Sequence, residues 1–80
     1  MRIDIVLTAS ARRFAEARGW RGRLDALALG AWIQLGDRVA LEPAAPALDF
    51  VVIRRRIAMA PDGGTDEPVL EVTLDYPARE

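Results

Sequence analysis

The chain has 80 residues, 51% of them hydrophobic, and a formal net charge of −1, which allow one small domain with its own core. It contains no Cys, His or Lys, which excludes disulfide bonds, thiol nucleophiles, imidazole bases and the usual transition-metal ligands. Asp4 interrupts the only early apolar run and no later run approaches about 18 residues, so we expect a cytoplasmic protein without a membrane segment.

The N-terminal part of the chain predicts a strand followed by a helix. From Arg2 to Leu7 apolar residues alternate with mainly polar ones, which is typical of a strand with one face in the core. Thr8 and Ser10 offer hydroxyl groups that can cap a helix from Ala11 to Arg18. Gly19 suits the left-handed position that ends such a helix.

The rest of the chain predicts a short helix and further strands. In chain order we expect a helix at about Leu24–Leu29, a short strand at Val39–Leu41, a long strand at Asp49–Met59 and a last strand at Val69–Tyr76. Asp62-Gly63 is a reversal signal, which favours a hairpin between the last two strands.

Together these elements predict one α+β domain over residues 1–76, with a frayed tail at residues 77–80. The expected element order is β-α-α-β-β-β. We expect a small, mainly antiparallel sheet of 3–4 strands with one or two helices packed on one face. The strand order within the sheet stays open, because alternation does not determine it.

Three consecutive arginines lie in the middle of the long strand, where neighbouring side chains must point to opposite faces. The more apolar face consists of Val51, Ile53, Arg55, Ile57 and Met59, so it is the predicted core face and Arg55 conflicts with it. A β-bulge, an extended side chain that reaches the sheet margin, or an acid such as Asp25 could each relieve this conflict. We expect a bulge or an extended side chain to bring the Arg55 guanidinium to water.

The opposite face of the long strand carries two apolar residues, Phe50 and Val52, without an obvious cover. A second copy of the chain would cover them, which predicts a homodimer or a protein partner. The alternative is that the loop at residues 42–47 folds over them. The interaction surface expected from this pattern consists of Phe50, Val52, Arg54, Arg55 and Arg56.

The N-terminal third is rich in arginine, which raises a second hypothesis of nucleic-acid binding. Arginine beside an aromatic residue suits phosphate contact and base stacking. The candidate contact residues are Arg12, Arg13, Arg18, Trp20, Arg21 and Arg23. The favoured alternative is that the helix arginines form an ordinary solvated face and that Arg54 and Arg56 pair across the hairpin with Glu71 and Asp75.

The sequence carries no catalytic, metal-binding or cofactor-binding signature. Ser10 and the threonines have only carboxylates to serve as bases, which is a poor arrangement for nucleophilic catalysis. The segment at residues 62–67 contains three acidic residues but lacks the ligand order of a calcium loop. We therefore expect a non-catalytic protein-interaction or self-association module without cofactors, with an accessory nucleic-acid-binding module as the alternative.

Overall fold

The computed structural model describes residues 2–59 and 67–78 of the chain. Its elements are, in chain order, β1 (Arg2–Leu7), α1 (Ala9–Ala17), α2 (Arg21–Asp25), β2 (Arg38–Val39), a 3-10 turn (Pro46–Leu48), β3 (Phe50–Ala58) and β4 (Val69–Asp75). The α+β class and the order of helices and strands are thereby confirmed. The predicted turn at Asp62-Gly63 lies outside the described residues.

The four strands form one sheet in the order β1-β4-β3-β2. β1 runs parallel to β4, while β4 pairs with β3 and β3 with β2 in antiparallel fashion. The first and last strands of the chain are therefore neighbours inside the sheet, and β1 forms one edge. β2 forms the other edge, but it pairs only with Phe50 and Val51.

The helical segment differs from the prediction at its boundaries. α1 begins at Ala9 because Thr8 is its N-cap: the Thr8 hydroxyl accepts the Ala11 N–H (3.2 Å) and donates to an Asp75 carboxylate oxygen (2.6 Å). The helix ends before Gly19, which has the predicted left-handed backbone at φ 69°. α2 is earlier and shorter than predicted, and the chain between α2 and β2 is irregular.

The core lies between the sheet and the helical segment. Four aromatic rings meet there, with Phe14 stacked on Tyr76 at 3.6 Å between ring centroids and Trp20 and Phe50 packed around them. Contacts between offset or edge-on rings add stabilisation beyond the apolar area that they bury. The other fully or nearly fully buried large side chains are Leu24, Ile33, Val52, Leu70, Val72 and Leu74.

The predicted core face of β3 is wrong in the first part of the strand, up to Ile53, and right at Arg55 and Ile57, which pair with the core residues Val72 and Leu70. Phe50 and Val52 are 0% and 1% exposed, whereas Ile53 is 49% exposed. Cover for Phe50 comes from the aromatic residues of the same chain, so neither a second copy nor the loop at residues 42–47 is needed. The interaction surface expected at Phe50 and Val52 is corrected accordingly, because both side chains belong to the core.

A β-bulge explains this correction. The register of β3 against β4 shifts between Val52 and Arg54, so that Val52 lies opposite Leu74 and Arg55 opposite Val72. Residues that pair directly share a face of the sheet. If side chains alternated without interruption from Arg55, Phe50 and Val52 would lie on the face away from the core. The bulge turns them to the core face.

Candidate interaction surfaces

Strand alternation places the three arginines on both faces of the sheet. Arg54 lies opposite Thr73 and Arg56 opposite Glu71, on the face away from the helices. Arg56 makes the predicted ion pair with Glu71, at 2.7 Å. The other suggested acid, Asp75, accepts the Thr8 hydroxyl instead. Arg54 makes no ion pair with any residue among 2–59 and 67–78.

Arg55 lies on the helix-side face but is exposed, as expected from the sequence. Its guanidinium donates to the Ala31 carbonyl oxygen at 3.1 Å. Because it is exposed, the side chain reaches water without leaving this face. Arg55, Ala31, Trp32, Gln34 and Leu35 line a shallow hollow of about 500 Å³.

We expect Arg55→Ala to lower the free energy of unfolding by less than about 1 kcal/mol, because the side chain is exposed and pairs only with a carbonyl group. Arg56→Ala should be similarly mild, since its ion pair with Glu71 is solvent-exposed. Urea melts of the two variants check this. A loss near 3 kcal/mol for Arg55→Ala alone would instead indicate a buried ion pair.

The second half of β3 forms an open edge. The pairing of β2 and the bonds from Gly36 N–H to Val52 O (2.8 Å) and from Val52 N–H to Asp37 O (2.9 Å) satisfy β3 only as far as Val52. Beyond that point the strand pairs, among residues 2–59 and 67–78, only with β4. This edge is therefore available to another strand.

The register identifies which backbone groups point outward on this edge. Pro68 and Leu74 direct their carbonyl groups to β1, so by alternation residues 69, 71, 73 and 75 of β4 direct theirs to β3. Arg54, Arg56 and Ala58 pair with three of these residues. Consequently, Arg55 and Ile57 direct their N–H and C=O groups away from β4, toward the open side.

Apolar side chains surround the open edge. Ile57 is 55% exposed and Met59 68%, while Trp32 (69%) and Leu35 (63%) belong to the loop that lines the hollow beside Arg55. Together with Ile53, they are five of the six exposed large hydrophobic residues of the described chain, the sixth being Val6. Apolar residues concentrated in this way indicate an interaction site.

The sequence pattern did not identify Trp32 and Leu35 as surface residues. Both lie between Gly30 and Gly36, in a segment that could begin either a helix or a strand. Their exposure depends on the loop path, which a local pattern does not fix. The two flanking glycines were the available sign of irregular structure.

The other edge of the sheet, at β1, carries a groove. Two adjacent hollows of about 210 and 350 Å³ lie along the strand, and both are lined by Ile5, Val6, Leu24 and Asp25. Arg12 and Arg21 line the hollow near Leu7 but not the one near Ile3. Asp4 lines only the hollow near Ile3, so the groove has a basic end and an acidic end.

The predicted nucleic-acid contacts have different surroundings in the fold. Trp20 is only 6% exposed and belongs to the aromatic core, which corrects its assignment as a base-stacking residue. Two arginines cover it: the Arg18 guanidinium lies 4.9 Å from its ring and the Arg23 guanidinium 5.7 Å, distances typical of cation–π contacts. Arg21 pairs with Glu16 at 3.2 Å.

Arg12 and Arg13 are exposed, and neither makes an ion pair within the described part of the chain. Arg23 also donates to the Leu41 carbonyl oxygen at 2.7 Å. The arginines that the sequence grouped together thus have different surroundings, and several have structural partners.

Within residues 2–59 and 67–78, no three acidic side chains are grouped so that they could hold a metal ion. No helix in the same ranges is long and apolar enough to cross a membrane. Comparison of the chain with protein-family models, curated proteins and solved structures finds no match.

Proposed function

We propose that the chain is a non-catalytic protein-interaction module that binds an extended, acidic segment of a partner protein along the open half of β3. The observation that carries this proposal is the unpaired edge at Arg55 and Ile57, bordered by exposed apolar side chains. In strand addition, backbone hydrogen bonds supply affinity and adjacent side chains supply specificity.

Charge favours an acidic partner at this edge. Arg54 and Arg55 are exposed without an acidic partner among the described residues, and Arg56 lies beside them. If a second copy paired antiparallel through the same edge, arginines of the two copies would lie close together, which is destabilising. Carboxylates on a foreign strand would instead pair with these arginines.

A protein strand also fits the edge better than nucleic acid does. Stacking of bases requires aromatic side chains, and Trp32 is the only aromatic residue among the exposed large hydrophobics of the described chain. Ile53, Ile57, Met59 and Leu35 are aliphatic and suit apolar side chains. The outward N–H and C=O groups of Arg55 and Ile57 match the backbone of an added strand.

The test is an NMR titration with a short synthetic peptide that alternates valine and glutamate. We expect the peptide to shift the amide signals of residues 53–59 and the Trp32 indole signal. It should slow hydrogen exchange at the amides of Arg55 and Ile57, because these acquire acceptors. The amides of Arg56 and Ala58 already point to β4 and should change little.

Two matched comparisons test the charge argument. A peptide alternating valine and lysine should bind at least about tenfold more weakly, or about 1.4 kcal/mol. The glutamates of a peptide whose valines contact Ile57 and Trp32 lie on the face of Arg54, so Arg54→Glu should reduce binding of the valine-glutamate peptide, whereas Arg13→Glu on the exposed side of α1 should not. Equal binding of both peptides, or tighter binding of a single-stranded oligonucleotide at this edge, would contradict the proposal.

A further inference from the structure

The β1 edge is a six-residue strand that lacks two features that often protect sheet edges, a proline and a β-bulge. It contains no proline and no lysine, and it pairs with β4 in unbroken register from Arg2 to Leu7. Its two charged residues, Arg2 and Asp4, contact each other at 3.4 Å. Regular edges without these features pair readily with another strand.

The outward backbone groups of β1 belong to its apolar residues. Arg2 and Thr8 donate their N–H groups to carbonyl oxygens of Pro68 and Leu74, at 3.2 and 3.1 Å. By alternation along a parallel pair, the backbone groups of Ile3, Ile5 and Leu7 point away from β4. Their side chains pair with Leu70, Val72 and Leu74, and so they lie on the core side of the sheet.

We propose that β1 pairs antiparallel with β1 of a second copy, about a twofold axis at Ile5. In this register Ile5 lies opposite Ile5 of the second copy, and Ile3 lies opposite Leu7. The outward N–H and C=O groups of these three residues then face one another, as hydrogen-bonded pairs of an antiparallel ladder require. The two sheets join into one continuous sheet.

Side chains are self-complementary in the same register. On the core side, every residue of the pair is aliphatic, so half-buried side chains of both copies cover one another. On the opposite face, Asp4 lies opposite Val6 and Arg2 opposite Thr8, so no like charges lie directly opposite one another. Cross-strand pairs of these kinds are neutral to stabilising, whereas opposed like charges are destabilising.

The groove beside β1 gives an independent reason for choosing a second copy. The twofold axis places the end of the groove near Leu7 against the end near Ile3 of the other copy. Arg12 and Arg21 line only the first of these ends and Asp4 lines only the second, while Asp25 lines both. Each copy thus presents a basic end to an acidic end, and it does so twice by symmetry.

Hydrogen exchange over a range of protein concentrations tests the register. In the dimer, the amides of Ile3, Ile5 and Leu7 should be protected, and dilution to the monomer should expose them. The amides of Asp4 and Val6 bond to β4 and should stay protected at every concentration. Light scattering should give twice the chain mass of 8.8 kDa at high concentration.

A charge exchange tests the contact between copies. Arg12→Glu and Asp4→Arg should each weaken dimerisation roughly tenfold, because like charges meet at two symmetric positions. Mixing the two variants should restore association, since the carboxylate introduced in one copy then faces the guanidinium introduced in the other. Coupling within a single chain would not be restored by mixing. Arg13→Glu, which does not line the groove, is the control and should dimerise normally.

A mass of one chain up to millimolar concentration would overturn the proposal. A dimer in which the amides of Ile3, Ile5 and Leu7 exchange freely would place the interface elsewhere and would also overturn it. Protection of these amides in a monomer by the valine-glutamate peptide would make β1 a site for a foreign strand instead. None of these outcomes depends on binding at β3, which lies two strands away in the sheet.

Discussion

Phe50→Ala is expected to lower the free energy of unfolding by about 3–5 kcal/mol, the usual cost of removing a large aromatic side chain from a core. Phe50 is 0% exposed and contacts Phe14, Trp20 and Tyr76, with ring centroids 5.8, 6.3 and 6.1 Å away. Alanine would leave a cavity between the sheet and the helical segment. Urea denaturation followed by circular dichroism measures the loss.

The matched control for this change is Ile53→Ala, at the bulge of the same strand. Ile53 is 49% exposed, so its truncation should cost less than about 1 kcal/mol. Since a domain of this size is stable by only about 4–12 kcal/mol, Phe50→Leu provides a milder variant if Phe50→Ala fails to fold. A larger loss for Ile53→Ala than for Phe50→Leu would mean that β3 faces the other way and has no bulge.

The alternation of apolar residues indicated the core face of β1 and β4 but not that of the first part of β3, for a physical reason. β1 alternates regularly and has the predicted bounds, and in β4 the alternate apolar residues Leu70, Val72 and Leu74 are all buried. Neither strand contains a register shift in its pairing with the other. In the first part of β3 the same argument failed, because one extra residue reverses the relation between sequence position and face.

The arginine triplet was nevertheless an informative signal. A guanidinium aimed at the core is too costly to keep, so the conflict at Arg55 indicated an irregularity in this strand. The structure has a bulge two residues before Arg55 and leaves that side chain exposed. The local pattern could not indicate which residues of β3 the bulge turns toward the core, because this depends on the aromatic residues around Phe50.

The candidate binding edges could not be predicted from the sequence. An edge is defined by strand order, and the placement of β1 beside β4 joins residues more than sixty positions apart. The short length of β2 matters equally, since it leaves Arg55 and Ile57 unpaired on one side. Long-range pairing of this kind has no counterpart in local periodicity.

Replacement by alanine should lower the free energy of unfolding much more at one tryptophan than at the other. Trp20→Ala is expected to cost about 3–5 kcal/mol of unfolding free energy, because the ring is 6% exposed and packs edge-on against Phe14 at 5.5 Å. Trp32→Ala should cost less than about 1 kcal/mol, since its ring is 69% exposed. Thermal melts of both variants measure the difference.

The same pair of variants separates a structural role from a binding role. Trp32→Ala should leave the fold intact and weaken binding of the valine-glutamate peptide at the β3 edge, because Trp32 lines the hollow beside Arg55. Trp20→Phe keeps a ring in the core and should retain both the fold and peptide binding. The contrary result would be that the chain binds single-stranded oligonucleotide and that Trp20→Phe abolishes this binding without changing stability. The Trp20 indole would then act as a stacking surface for bases. The burial of Trp20 beneath Arg18 and Arg23 argues for the first result, since a base would have to displace both guanidinium groups to reach the ring.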